Sequence, residues 1–92
     1  MAHALYRRCE GISIQEMDGE LFLADDENGS IYRLNVIAAA FWRALDGPRD
    51  LDAIVTLFCR AFPEQSPSEL RRDITSLADR LEEEGLISRE AA

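Results

Sequence analysis

The chain has 92 residues, with ten arginines, no lysine and 18 acidic groups, so its formal net charge is −8 on a composition that is 47% hydrophobic. At this size folding removes roughly 60–65% of the unfolded surface from water, which supports one core in a single domain over residues 1–92 and leaves no room for a buried multi-residue catalytic cavity. The acidic balance opposes nucleic-acid backbones and anionic lipid, whose affinity rests on clustered Lys and Arg, and the apolar fraction excludes a disordered chain.

The N-terminal third reads as strands. From Gly11 to Met17 apolar and polar residues alternate, with Ile12 and Ile14 on one face and Ser13 and Gln15 on the other. Asp18-Gly19 suits a type I′ hairpin turn, which needs positive φ at both central positions. A second strand runs from Glu20 to Asp25, and a turn at Asn28-Gly29 leads to a third from Ser30 to Leu34. Two-residue turns at both places pair Met17 with Glu20, Ile14 with Leu23, Leu23 with Leu34 and Asp25 with Tyr32. They put Ile12, Ile14, Leu21, Leu23, Tyr32 and Leu34 on one face, whereas a one-residue slip would scatter that set. A three-stranded antiparallel meander with one buried side is expected.

The rest reads as three helices. Asn35 caps the first, which runs to about Leu45 with Ile37, Ala40, Phe41, Ala44 and Leu45 at helical spacing. Asp46-Gly47-Pro48 stops it. Asp50 caps the second, through about Phe62, with Leu51, Ile54, Val55, Phe58 and Phe62 inward, and Pro63 ends it. Ser66-Pro67-Ser68-Glu69 opens the third with a capping box and a proline at the first helical position. Its stripe is Leu70, Ile74, Leu77 and Leu81, and Gly85-Leu86 closes it in a Schellman motif. Ile87 packs back on the core, Glu90 to Ala92 form a tail, and the core spans about residues 11–87. The fold class is α+β, a small sheet covered on one face by helices.

No catalytic motif emerges. The glycines serve turns and caps, and there is no phosphate loop, GxSxG or HExxH. His3 is the single histidine, Cys9 and Cys59 stand far apart as free thiols, and no zinc ligand set assembles. The sequence therefore points to no enzyme, no metal and no cofactor. No apolar run approaches the ~20 residues of a membrane helix, and the N-terminus lacks a signal-peptide core, so a cytoplasmic location is expected. Glu82-Glu83-Glu84 reads as a solvated helix face. Asp25 to Gly29 lacks the ligand spacing of a calcium loop and reads as a polar turn.

Three features stand apart from the core pattern. Arg71-Arg72 makes a positive spot in an acidic chain, either receiving a partner's carboxylate or pairing with neighbours such as Glu69 or Asp79. Trp42 serves as core or as contact. Ser30 to Leu34 is an edge strand without proline or lysine, carrying Ile31 on its outward face beside Phe22. Such an edge captures a peptide by strand addition, or is hidden by the N-terminal arm or by a second copy.

The stretch Ile31-Tyr32-Arg33-Leu34-Asn35, then Phe41-Trp42, Leu45-Asp46-Gly47, Asp73-Ile74, Leu77, Leu81 and Gly85-Leu86-Ile87, resembles the PqqD-like family (pyrroloquinoline-quinone biosynthesis protein D). Asp18-Gly19-Glu20-Leu21-Phe22-Leu23 extends the likeness, which covers about Asp18 to Ile87. The resemblance implies a winged helix-turn-helix-like fold, with an N-terminal three-stranded antiparallel meander followed by three helices. It implies a non-catalytic recognition element that binds the leader of a ribosomally made precursor peptide as an added strand. Such a protein presents the leader to a modifying enzyme, often a radical S-adenosylmethionine protein. Carried over by position, the peptide contacts are Ser30, Ile31, Tyr32 and Arg33 on the edge, with Arg71, Arg72, Thr75 and Ala78 on the third helix. Arg33, Arg71 and Arg72 would rim one groove and orient an acidic leader. The alternatives are a winged-helix transcription regulator, which the acidic third helix opposes, and a homodimer whose edges pair.

Overall fold

The computed structural model describes residues 4–91. In chain order the elements are strands β1 (Ala4–Arg8), β2 (Ile12–Met17), β3 (Glu20–Asp25) and β4 (Ser30–Leu34), helix α1 (Val36–Ala44), strand β5 (Arg49–Asp50), helices α2 (Leu51–Ala61) and α3 (Pro67–Glu83), and strand β6 (Ile87–Ala91). They form two antiparallel sheets, ordered β2-β3-β4 and β5-β1-β6, with three helices. The first sheet is the expected meander.

The β2–β3 turn follows the sequence reading. Met17 pairs with Glu20, and Asp18 and Gly19 have φ of 54° and 80°, as a type I′ turn requires. The β3–β4 register differs from the expected one by two residues. Leu34 lies opposite Leu21, Tyr32 opposite Leu23 and Ser30 opposite Asp25, so the loop has four residues, Asp26 to Gly29. The cause is Asp25. Its nearly buried carboxylate accepts from the Glu27 and Asn28 amides at 3.0 and 3.3 Å and from Asn28 Nδ2 at 2.9 Å, a side-chain turn that competes with a tight hairpin. Because the shift is an even number of residues, face parity is kept. Leu21, Leu23 and Leu34 are buried as expected, but Ile14 is 48% exposed. Its strand β2 packs on β3 and is exposed from Ile14 to Met17, although Ile12 at its start still packs against the core.

The second sheet corrects the reading of both ends. Residues before Gly11 carry a strand, and Glu90, expected in a tail, lies in β6, while Ala92 falls outside the described residues. Tyr6 pairs with Arg89 across β1 and β6 and is buried in the core, so Ala4–Arg8 is spent here, and among the described residues no strand covers the outer edge of β4. With one inward side chain in five residues, Ala4–Arg8 is too short for a period to show.

The caps explain the helix limits. Asn35 Oδ1 accepts from the Ala38 amide and Asp50 Oδ1 from the Ala53 amide, each at 2.8 Å. Ser66, by contrast, makes no side-chain cap; its hydroxyl sits 3.0 Å from that of Ser68, and Pro67 alone marks the start. At the far end Leu86 N–H donates to Leu81 O and Gly85 N–H to Glu82 O, both at 3.0 Å, completing the Schellman motif with Gly85 at φ 76°. A Cβ at Gly85 would meet no atom within 4 Å, so Gly85→Ala should cost only the left-handed backbone penalty, about 1–2 kcal/mol by chemical denaturation.

One buried cluster joins both sheets to the helices, with Leu23, Phe41, Trp42, Ile54, Ile74 and Leu86 at its centre. Trp42 is thus a core residue, its ring 5.0 Å from the Arg8 guanidinium.

Candidate functional site

Backbone hydrogen-bond phase decides which groups of β4 are free. The two-residue turn makes Met17 and Glu20 a hydrogen-bonded pair, and the Asp26 amide, bonded to Gly11 O at 3.0 Å, continues the ladder in that phase. Gly11, Ser13, Gln15 and Met17 therefore bond to β3. Leu21, Leu23 and Asp25 turn their polar groups the other way, to Leu34, Tyr32 and Ser30. Consequently Ile31 and Arg33 point N–H and C=O away from the sheet, along an edge with no partner strand among the described residues. Ile31 is 71% exposed.

Beside that edge lies a groove of about 290 Å³. Ile31, Tyr32, Arg33 and Leu34 form one wall, Leu77, Arg80 and Leu81 of α3 with its C-cap Glu84 form the other, and Asn35 and Ala38 close the end. Leu34, Ala38 and Leu81 are buried and Leu77 half-buried, which makes an apolar floor under two polar rims. On β4 the Arg33 guanidinium pairs with Glu20. Arg80 on α3 and the C-cap Glu84 are exposed one turn apart, and Arg80 has no ion pair among the described residues.

Ser30, Ile31, Tyr32 and Arg33 all belong to the edge strand. Arg71, Arg72, Thr75 and Ala78 do not line the groove. Arg71 pairs with neither Glu69 nor Asp79 but with Asp52 of α2, at 2.5 Å, and lines a separate depression with Ala4, Tyr6 and Leu51. Thr75 donates its hydroxyl to Arg71 O at 2.6 Å, Ala78 is fully buried, and Arg72 is exposed on α3. The single basic rim expected from Arg33, Arg71 and Arg72 is not assembled. Helical geometry gives the reason: at 100° per residue, positions 71, 75 and 78 share a face about a third of a turn from 77, 81 and 84. Sequence reasoning assigned Leu77 and Leu81 to the core and overlooked Arg80. The available sign was an arginine and a glutamate four residues apart, flanking the rim of the apolar stripe.

The arrangement suits binding more than bond chemistry. Four outward backbone groups at roughly 0.5–1.5 kcal/mol each fall short of the ~8 kcal/mol of a micromolar complex. The remainder must come from apolar side chains entering the groove, at roughly 25 cal/mol per Å² buried.

Comparison with known proteins adds three findings. The family model of coenzyme PQQ synthesis protein D (PqqD) matches residues 20–87. No curated protein matches the chain. Among solved structures, TbiB1 in complex with the TbiA(beta) leader peptide is 17% identical over 89% of this chain and 94% of that one, with a TM-score of 0.80, a likeness of fold. Lasso peptide synthetase B1 complexed with the leader peptide is 28% identical over 90% of this chain and 96% of that one, with a TM-score of 0.76.

Proposed function

We propose, since this chain belongs to the family of coenzyme PQQ synthesis protein D, that it captures the leader of a ribosomally made precursor peptide and presents it to a modifying enzyme. The leader adds to β4 as a further strand, bonded to the backbone of Ile31 and Arg33. Its apolar side chains enter the groove between β4 and α3. The observation that carries this reading is the edge of β4, bare among the described residues, standing over an apolar floor, with β1 and β6 paired in the other sheet. Support comes from lasso peptide synthetase B1, a protein of the same fold solved with a leader peptide.

On this reading the whole chain acts as one recognition domain without a catalytic group, and the chemistry belongs to the enzyme that receives the leader. The site is Ser30 to Leu34 with Leu77, Arg80, Leu81 and Glu84, rather than the face of Arg71, Thr75 and Ala78. On this reading the protein works in the cytoplasm, where a ribosomal peptide is made; among the described residues no helix is long and apolar enough to cross a membrane. Fluorescence anisotropy of the synthetic leader of the precursor encoded beside the chain's own gene tests the proposal. Saturable binding near micromolar is expected; no binding at a hundredfold higher protein concentration, or salt-sensitive binding of duplex DNA instead, would contradict it.

A further inference from the structure

The first sheet has a second open edge, which the leader does not use. In the ladder phase fixed by the Met17–Glu20 turn, Ile12, Ile14 and Glu16 of β2 point N–H and C=O outward, and no strand covers them among the described residues. β2 contains no proline, lysine or arginine, and its one charged side chain is Glu16. Its side chains include two exposed apolar residues, Ile14 at 48% and Met17 at 59%.

Charge identifies what fits there. Between Glu10 and Tyr32 the chain carries seven carboxylates and no arginine, so this quarter of the sequence holds seven of the eight excess negative charges. Among the described residues only Glu20 of these seven forms an ion pair, with Arg33. Glu10, Glu16 and Asp18 are exposed along or at the ends of β2. A second copy of this chain would bring like charges together, whereas a strand of alternating basic and apolar residues would satisfy backbone, Ile14 and carboxylates at once.

We infer that the outer edge of β2 is a docking surface for an extended basic segment of a partner protein, joined by strand addition. Because β2 and β4 are opposite edges of one sheet, this partner and a leader bind together without competing. Identifying the partner as the modifying enzyme rests on the function proposed above; the surface itself does not.

The test uses the full chain, without leader, and a synthetic peptide alternating lysine with valine, with glutamate replacing lysine in the control. In an NMR titration the largest amide shifts should fall on Ile12 to Met17 for the lysine peptide, with none for the control. Ile14→Pro removes an outward donor while leaving the charge unchanged, and should weaken binding at least ~10-fold. Glu10→Gln with Glu16→Gln and Asp18→Asn, which leaves the edge intact, should weaken it by a similar factor and decides the matter if the proline variant does not fold. Unchanged affinity in a folded Ile14→Pro, shifts spread over every acidic surface or confined to β4, or concentration-dependent shifts of β2 without peptide would each overturn the inference.

Discussion

Ile31→Pro should lower affinity for the leader at least ~100-fold while moving stability by less than about 1 kcal/mol. The two effects separate because the Ile31 amide faces away from β3, whose ladder runs through Ser30, Tyr32 and Leu34. Proline at an edge position with an outward N–H breaks no internal bond, and its fixed φ lies within the extended region. Little packing is lost, since the side chain is 71% exposed. For the leader the change removes one hydrogen bond and leaves its carbonyl desolvated without a donor, about 1–3 kcal/mol, and the ring displaces the neighbouring bonds. Ile31→Ala keeps the donor and should cost far less. Anisotropy for binding and denaturant titration for stability read the two quantities independently. Equal losses in the proline and alanine variants would mean that the side chain, not the backbone edge, makes the contact.

Deleting residues 87–92 should abolish the cooperative thermal transition or lower its midpoint by tens of degrees. Ile87 is 2% exposed in the core, and its removal costs about 2–5 kcal/mol by the precedent of large-to-small core changes. The deletion also strips β1 of five register partners, from Ala4–Ala91 to Arg8–Ile87, and uncovers the bonded backbone of β1 beside buried Tyr6. Each lost ladder bond is worth about 0.5–1.5 kcal/mol, and the total stability of a small domain is only about 5–15 kcal/mol. Circular dichroism against temperature checks this; a midpoint within a few degrees of the intact chain would show that β6 is dispensable. Ile87→Ala should give an intermediate loss.

What the sequence revealed was local. Asp18-Gly19, Asn35, Asp50 and Gly85-Leu86 act within a few residues of themselves, and each turn or cap appears where its residue chemistry put it. Asn28-Gly29 misled because Asp25, three residues upstream, folds its carboxylate over the turn. The β1–β6 pairing joins the two ends of the chain, and neither five-residue segment carries an alternation long enough to announce a strand. At the site the edge was legible, since proline and lysine are missing from Ser30 to Leu34. Its helical wall was not. Whether Arg71 or Leu77 faces β4 depends on the rotation of α3 against the sheet, which long-range packing of Leu70, Ile74, Ala78 and Leu81 sets.

The central claim is that a leader strand lies between β4 and the face of α3 that runs from Leu77 to the C-cap Glu84. Titrating the isotope-labelled full chain with the synthetic leader and following amide shifts tests it most directly. The account predicts the largest shifts at Ile31 and Arg33, with slowed hydrogen exchange at both, accompanied by Leu77, Arg80, Leu81 and Glu84. Shifts confined to Arg71, Arg72 and Thr75, or to β2, with β4 unmoved, would contradict it.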